Sequence, residues 1–238
     1  MRLGLEKALE LPHQCPDCGD NNSLDHALSS CRKGGVQIRR HDEMTDTVER
    51  EANRAGFWVP SRREPCVGPL SPEDPRNRCD TVIHGLKNPQ RDAWIDVAVV
   101  DTGAPSHVRQ QSAKTLGDEE NNKLKKHRDR VVYVEGSDFL PVVLSVYGSL
   151  AFSAHEFLYK CAEKTAGRGG KKSRDFGRLL HLLRARWQAA THNAVSLCLW
   201  GRRGKWAKDA KRAEELKMQA AEGAFDIPWE CMVADAMR

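Results

Sequence analysis

The chain has 238 residues, of which 30% are charged, and its net charge is +5. This length is enough to bury a sizeable core, and the modest basic excess fits a nucleic-acid partner without requiring one. The longest apolar run, residues 139–147, is far too short to cross a bilayer, which excludes a membrane-spanning protein.

The first eleven residues, MRLGLEKALEL, place two glutamates and a lysine where a secretory signal has its apolar core. We therefore expect a protein of the nucleus or cytoplasm that is not secreted. In such a reducing compartment the eight cysteines favour metal ligation over disulfide bonds wherever they cluster.

The first cysteine cluster is CPDCGDNNSLDHALSSC, with the spacing C-x2-C-x7-H-x4-C. Zinc takes four nitrogen or sulfur ligands in a tetrahedron, and a C-x2-C turn presents two thiolates from one tight knuckle. A histidine and a cysteine on one face of a short helix can supply the second pair. We predict a zinc knuckle with the ligands Cys15, Cys18, His26 and Cys31, and with His13 as the weaker substitute. This zinc could serve the fold alone, without any other function.

The next segment predicts a helix that begins near His41 and ends at a glycine cap, Gly56. Three apolar residues at steps of four form the stripe that should face a core: Met44, Val48 and Ala52. Arg39 and Arg40 place positive charge at the start of this helix. A solvated helix end and a phosphate contact both explain that charge, and the sequence does not separate the two.

Two strands follow a segment that is interrupted by proline. They are CDTVIHGL and AWIDVAVVD, and the continuous apolar run of the second is typical of a strand buried on both faces. Residues 112–129 are polar and charged, and their second half is predicted to be helical. VVYV and FLPVVLSVYG then predict one or two further strands.

The remainder of the chain is predicted to be mainly helical. SAHEFLYKCAEKTAG indicates a helix ending at Gly167, and a flexible basic stretch, GRGGKKSRD, separates it from a long helix over Phe176–Trp200. A charged helix is predicted after Gly204. The order of helices and strands is that of an α/β fold. We expect a knuckle segment over 1–35, an α/β domain over 36–166, and a basic linker with a helical region over 167–238.

Two aspartates in the predicted strands form a candidate site for a hard divalent cation. Asp80 opens the first strand, and Asp96 interrupts the apolar run of the second, where an unpaired carboxylate would be costly to bury. If the strands are neighbours, both carboxylates and the carbonyl of Val97 can bind Mg²⁺, which activates water and stabilises charge on a phosphodiester. Asp96 could instead lie at a strand edge and reach solvent, or cap a loop.

A lysine near this cation would orient the attacking water or neutralise developing negative charge. The run NNKLKKHRDR offers three candidates: Lys123, Lys125 and Lys126. A charge run on a helix is usually its solvated face, so this run alone does not establish a site.

In their order along the chain, these motifs resemble the C-terminal region of non-LTR retrotransposon proteins that carry a restriction-like endonuclease of the PD-(D/E)XK superfamily. The similarity consists of the Cys-Cys-His-Cys knuckle, RRHDEM, RCD, WIDVAVVD, a Lys-x-x-Lys pair and FLPVVLSVYG, over about residues 13–150. The resemblance implies an endonuclease-like α/β core between the knuckle and a helical C-terminal tail. It also implies metal-dependent nicking of double-stranded DNA, with Mg²⁺ or Mn²⁺ as the catalytic metal and zinc as the structural one.

The resemblance also implies roles for individual residues. Asp80 and Asp96 match the two metal-binding aspartates of the family, and Lys123 and Lys126 match its lysine pair. Glu64 is a further acidic candidate, on the extended piece that precedes the first strand.

Three departures from the family pattern open a second hypothesis. Cys79 stands in the place of proline, His127 stands in the place of tyrosine, and the stretch from Asp96 to Lys126 is longer than expected. These departures favour a catalytically inactive module that still binds nucleic acid. A third hypothesis is a helical scaffold for another protein, motivated by the apolar excess of the helix over Phe176–Trp200.

Double-stranded DNA is the expected partner, with RNA as a second candidate and no membrane. Basic side chains are expected to contact its phosphates: Arg39, Arg40, Lys171, Lys172 and Arg174. The chain contains no Tyr-x-Asp-Asp run, so the reverse-transcriptase region of such elements is absent from it. The resemblance therefore implies a fragment, a degenerate copy or a reused domain of such an element.

Overall fold

The computed structural model describes residues 13–15, 17–31, 33, 35–60, 78–167 and 170–200 of the chain. Within these residues the fold is mixed α/β, as predicted, with one three-stranded sheet and five α-helices. The strands are β1 Thr81–His84, β2 Asp92–Val100 and β3 Asp138–Ser145. The helices are α1 Val36–Arg54, α2 Ser112–Lys123, α3 Asp129–Tyr133, α4 Phe152–Thr165 and α5 Phe176–Trp200. Shorter helical turns are two π turns, His26–Ser30 and Leu124–Arg128, and a 3-10 turn, Gly170–Lys172.

The sheet has the order β1-β2-β3 and combines both strand directions. β1 runs antiparallel to β2, with Thr81 opposite Ile95, and β2 runs parallel to β3, with Asp96 opposite Pro141. Parallel neighbours need a crossover connection, which here is the helical segment from α2 to α3. This connection brings α2 against β2 and β3.

The sheet is buried on both faces, and successive side chains of a strand point to opposite ones. On one face Ile95 and Val97 belong to the main core, which is formed with α1, α4 and α5. On the other face Trp94 packs with Val131 of α3. By this alternation Asp96 shares the face of Trp94, on the side of the crossover helices.

Helix α1 begins at Val36, five residues before the predicted start near His41, and its predicted apolar stripe is fully buried. Val36 and Arg40 are also buried, so the stripe with a step of four extends further towards the N-terminus than its apolar members indicate. The sequence pattern did not indicate this extension, because Arg40 is charged and interrupts the apolar stripe between Val36 and Met44. Gly56 follows the end of the helix with a φ of 82°, as expected for a glycine cap.

The prediction of a strand over VVYV is wrong, because these residues lie in and directly after helix α3. Val131 is fully buried against Trp94 and Phe139, whereas Tyr133 is 82% exposed. The preceding segment is also helical from Ser112 onwards, and not only in its second half. The parallel pairing of β2 with β3 requires a crossover, and this requirement overrides the strand propensity of four residues.

Helix α5 has the predicted bounds, and its apolar side chains are used inside the fold. Trp187 is fully buried, and its ring centroid lies 5.5 Å from that of Phe157 in α4. The Thr191 hydroxyl lies 3.8 Å from Sδ of Met44 in α1. This packing against α1 and α4 accounts for part of the apolar excess that motivated the scaffold hypothesis, since Leu183 and Trp187 are buried whereas Leu182 is half-buried.

Among the described residues, no helix combines the length and the apolar character needed to span a bilayer. The charged helix predicted after Gly204 lies outside the described residues.

Candidate functional site

The four predicted knuckle ligands lie together. Their ligand atoms are all within 4.8 Å of one another. Sγ of Cys18 lies 3.2 Å from Nε2 of His26, and Sγ of Cys15 lies 3.7 Å from Sγ of Cys31. Three thiols and an imidazole nitrogen at these distances could hold a zinc ion. His13, the substitute ligand, is exposed and lies outside this group.

Two turns build the cluster. In the first, the N–H of Gly19 donates to the carbonyl of Cys15 at 2.8 Å, and the φ of 82° at Gly19 suits a residue without a side chain. In the second, a π turn, the N–H of Cys31 donates to the carbonyl of His26 at 3.0 Å. This bond between residues five positions apart brings the second pair of ligands to the same side of the chain.

The Cys15 thiol ionises more readily than an ordinary cysteine. Burial raises its pKa, but hydrogen bonds from the backbone of Asp17 and Cys18, and from the side chain of His26, lower the pKa to about 6. The thiolate is the form of cysteine that binds metal. The cluster therefore offers an anionic ligand at neutral pH.

Apolar and polar contacts attach the knuckle to the rest of the fold. Leu24 and Leu28 are buried in one cluster with Leu199 of α5. The hydroxyl of Ser29 donates to the carboxylate of Asp101, directly after β2, at 2.8 Å. The cluster of cysteines and histidine is thus coupled to the central strand and to the last described helix.

Arg40 also holds the knuckle, and this position argues against its predicted phosphate contact. Its side chain is 7% exposed and donates from Nη1 to the carbonyl of Leu28 at 2.7 Å. A longer bond of 3.4 Å joins Nη2 to the carbonyl of Val99 in β2. Arg39, its neighbour, is exposed.

A second group of predicted residues lines one polar cavity of about 490 Å³. Asp80 directly precedes β1, Asp96 lies in β2, and Lys123 and Lys126 come from the end of α2 and the π turn after it. Two further charged or ionisable side chains line the cavity: His41 and Arg78. The structure thus brings together the four residues predicted to be catalytic.

Asp80 stands where the hydrogen-bond ladder between β1 and β2 ends. Its N–H donates to the carbonyl of Ile95 at 2.9 Å, while its carboxylate accepts the N–H of Val97 at 2.5 Å. The same carboxylate oxygen lies 3.1 Å from Nε2 of His41. Burial raises the pKa of Asp80, but the hydrogen bonds from His41 and Val97 lower it below its usual range. The carboxylate takes the place of a ladder carbonyl, and this interaction holds it beside β2.

Asp96 is buried in the central strand and paired with a lysine. Its two carboxylate oxygens lie 3.2 and 3.0 Å from Nζ of Lys123. Burial raises the pKa of Asp96 to about 6, with Lys123 and Lys126 opposing the shift and Asp80 adding to it. The side chain is 5% exposed, so the alternative of a strand-edge aspartate that reaches solvent does not apply.

His127 lies on another side of the same carboxylate. It is 2% exposed, and its Nε2 is 3.5 Å from Oδ2 of Asp96. Burial lowers the pKa of His127 to about 4, and the charges of Lys126 and Lys123 add to this effect. A neutral imidazole therefore lies beside the carboxylate of Asp96. Lys123 and His127 are four residues apart in one helical segment, which places both side chains on the same face, towards this carboxylate.

His41 and Arg78 line the cavity although the sequence patterns did not indicate a role for either in this site. The sequence placed His41 only at the start of a helix. It lies three residues before Met44, next to the buried stripe of α1, and this spacing is the signal that could have identified it. The hydrogen bond to Asp80 raises the pKa of His41.

The other predicted nucleic-acid contacts lie outside this cavity. Lys171, Lys172 and Arg174 are exposed, and Nζ of Lys171 lies 4.8 Å from the ring centroid of Tyr159. Glu64, the further acidic candidate, lies outside the described residues.

The pKa values of His41 and His127 are expected to lie on opposite sides of the pKa of an ordinary histidine. Asp80 raises the pKa of His41, and burial lowers the pKa of His127 to about 4. In an NMR titration, the ring signals of His127 should move only below about pH 5, and those of His41 above about pH 6.5. The Asp80→Asn substitution identifies the His41 signal, because it should lower the titration midpoint of His41 more than that of any other histidine. A His127 midpoint above about pH 6 would mean that water reaches its ring.

No protein-family model matches the chain, and a search of the curated proteins finds no match either. The chemistry of each site follows from its donor atoms. The first is a thiol-rich group suited to zinc. The second combines carboxylates with lysines, and such a combination could bind a divalent cation and an anionic substrate.

Proposed function

We propose that the chain is a metal-dependent DNA endonuclease with a restriction-endonuclease-like core and a zinc knuckle, derived from a non-LTR retrotransposon protein. The observation that carries this proposal is the convergence of Asp80, Asp96, Lys123 and Lys126 on one polar cavity. Two carboxylates from neighbouring strands and two lysines from one helical segment agree with the roles that the resemblance implies.

The donor set of the cavity suits Mg²⁺ or Mn²⁺, which prefer carboxylate oxygens. Asp80 and Asp96 would hold the cation, and when bound it activates water and stabilises charge on a phosphodiester. With a pKa of about 6, Asp96 is largely ionised at neutral pH, and the lowered pKa of Asp80 keeps that group ionised as well. Both groups therefore carry the negative charge that a cation requires.

The surrounding side chains position the carboxylates and receive the phosphate. Lys123, at 3.0 Å, holds the carboxylate of Asp96, and His41, at 3.1 Å, holds that of Asp80. Lys126 is exposed at the cavity and can neutralise negative charge on a bound phosphate.

We also propose zinc as the ion of the Cys15, Cys18, His26 and Cys31 cluster, in a structural role. Its four ligands leave no open position for catalysis. Arg40 connects the knuckle to β2, and it is adjacent in α1 to His41, which holds Asp80. Zinc thereby supports the geometry of the second site.

Double-stranded DNA is the proposed substrate, which implies a nuclear or cytoplasmic location. Phosphate contacts supply most of the affinity of such complexes and position the duplex. The exposed basic residues proposed for this purpose are Arg39, Lys171, Lys172 and Arg174.

A catalytically inactive nucleic-acid-binding module is the second candidate. The observation that favours it is the ammonium group of Lys123, which already neutralises Asp96 without a cation. A metal ion must compete with Lys123 for the carboxylate of Asp96. His127, which contacts the same carboxylate, is neutral and adds no negative charge that would attract the metal.

Nicking of supercoiled plasmid tests the first candidate against the second. The zinc-loaded protein is expected to produce open circles with Mg²⁺ or Mn²⁺, and none without a divalent cation. Asp80→Asn should lower the rate by roughly 10²–10³-fold, because it removes charge that the reaction requires. Asp92→Asn is the matched control, since Asp92 begins β2 and pairs with exposed His84 outside the cavity. It should nick like the parent.

An inert parent, or an Asp80→Asn variant as active as the parent, overturns the endonuclease proposal. Binding to the same plasmid that weakens steeply with salt would then support the second candidate. A protein that neither nicks nor binds would remove both.

A further inference from the structure

At the end of β1 remote from Asp80, an exposed indole lines a second cavity, of about 380 Å³. Trp58 is 64% exposed, although its carbonyl accepts the N–H of His84 at 2.9 Å. The ring centroids of Trp58 and His84 are 6.0 Å apart, with their planes at 71°. Since His84 lies four positions after Asp80 along the strand, this cavity lies about 13 Å along the strand from the nuclease site.

Backbone pairing holds Trp58 in place while leaving most of its ring open to solvent. An aromatic ring that is already ordered loses little freedom when a flat ligand stacks on it. Stacking on such a ring is how proteins bind unpaired bases, because every base presents a π face.

The rim of this cavity is basic. Lys87 lies in the hairpin after β1, and Lys160 and Lys164 come from α4. Glutamate oxygens lie 3.5 Å from Nζ of Lys87 and 3.7 Å from that of Lys160. Nζ of Lys164 lies instead 5.3 Å from the ring centroid of Phe57. Among the residues that line the cavity, three lysines stand against one glutamate, Glu163, which gives the lining a net positive charge. Two further carboxylates lie beside it, because Glu156 pairs with Lys87 and Asp92 pairs with His84.

We propose that this Trp58 surface, made by Trp58, His84, Lys87, Lys160 and Lys164, binds single-stranded nucleic acid. An unpaired base stacks on Trp58, and the adjoining phosphates contact the lysines. The bases of a duplex are stacked on one another and cannot offer their faces, so the aromatic part of the surface selects unpaired strands. None of these residues lines the nuclease cavity, and the proposal does not depend on cleavage.

Charge and aromaticity together distinguish this ligand from others. An acidic polypeptide could pair with the lysines, but it does not place an aromatic ring beside each charge that could stack on Trp58. Single-stranded DNA and RNA share both features, so the surface can accept either of them.

Fluorescence anisotropy with labelled oligo(dT), oligo(rU) and a duplex of the same length tests the proposal. The full chain carries Asp96→Asn and is measured without added divalent cation, so that no result depends on cleavage. Oligo(dT) or oligo(rU) should bind the parent, and their affinity should depend on Trp58, whereas the affinity for the duplex should not. Trp58→Ala should weaken binding of the single strands by about tenfold, and Trp58→Phe should retain most of the affinity. Tyr133→Ala, which removes an exposed ring at the end of α3, should change nothing.

The lysines are tested by the dependence of binding on salt. Lys160→Gln with Lys164→Gln should reduce the slope of log K against log salt by about 1.4, since each phosphate contact to a single strand contributes about 0.7. Lys114→Gln, an exposed lysine in α2, is the charge control and should leave the slope unchanged.

Equal affinity of the parent and Trp58→Ala for single strands overturns the proposal, as does a loss of duplex affinity in Trp58→Ala as large as its loss of single-strand affinity. Displacement of oligo(dT) by polyglutamate that is equally strong in the parent and in Trp58→Ala would identify an acidic polypeptide surface instead. Failure of any of these expectations leaves plasmid nicking by the parent unaffected, so the two proposals can fail separately.

Discussion

Cys18→Ser is expected to release zinc from the protein and to unfold the knuckle over residues 13–31. Structural zinc sites of this kind contribute an apparent binding free energy of about 10–16 kcal/mol at neutral pH, and a thiol ligand lost to serine removes much of it. Without the metal, the short π turn His26–Ser30 has few interactions of its own to hold it. The loss of bound zinc is measured by metal analysis, and the unfolding by hydrogen exchange of residues 24–31.

The effect should extend beyond the knuckle, because Arg40 then loses its acceptor on Leu28. The loss of a hydrogen bond made by a charged group costs about 1.5–3 kcal/mol, which predicts a lower midpoint of thermal unfolding for the whole chain. Cys161→Ala is the matched control, since Cys161 is fully buried in α4 and is not part of the cluster. It should retain its zinc. Full zinc content in Cys18→Ser would contradict the proposed ligand set.

Lys123→Met is expected to destabilise the fold by about 3 kcal/mol at pH near 8, because it leaves the buried carboxylate of Asp96 without its partner. The loss should shrink as the pH falls. Lys123 lowers the pKa of Asp96, so without it this pKa rises above about 6. Below that pKa the carboxyl group is neutral in the folded protein and no longer needs a cation. Urea unfolding at pH near 8 and near 5 measures the two values.

Two further variants isolate the ion pair. Asp96→Asn combined with Lys123→Met should recover most of the lost stability, since neither charge remains. Lys126→Met is the matched control: this lysine is exposed, and its loss should change stability by less than about 0.5 kcal/mol. A Lys123→Met variant as stable as the parent at both pH values would mean that water solvates Asp96.

The Lys123→Met variant also tests whether the site binds a divalent cation, without any measurement of cleavage. If Asp80 and Asp96 hold a divalent cation, Mg²⁺ or Mn²⁺ replaces the missing positive charge. Either ion should then stabilise Lys123→Met more than it stabilises the parent, in which Lys123 competes for Asp96. Equal stabilisation of both proteins would contradict a metal site at these carboxylates.

Local patterns predicted much of the fold. The spacing C-x2-C-x7-H-x4-C identified four side chains that lie within 4.8 Å of one another, because two turns close over short stretches of chain. The stripe of α1 followed from apolar periodicity, β2 from a continuous apolar run, and the start of α5 from the basic glycine-rich stretch before it. Each of these features depends on neighbours along the chain.

Features that depend on distant contacts were missed. Arg40 looked like surface charge, but it is buried because the knuckle offers the Leu28 carbonyl as an acceptor. VVYV has the composition of a strand, yet it is helical because β2 and β3 are parallel and need a helical crossover. In both cases a tertiary contact overrode the local preference.

The sequence by itself determined the residue types of both sites and the elements that carry them: cysteines and a histidine in a knuckle, aspartates on two strands, and lysines on a helix. Only the tertiary structure decided which charges meet. Lys123 contacts Asp96 across 27 residues, His41 contacts Asp80 across 39, and Lys125 does not line the cavity. These pairings depend on strand register and on the position of the crossover helix. Both are set by packing on the two faces of the sheet, which no local pattern records.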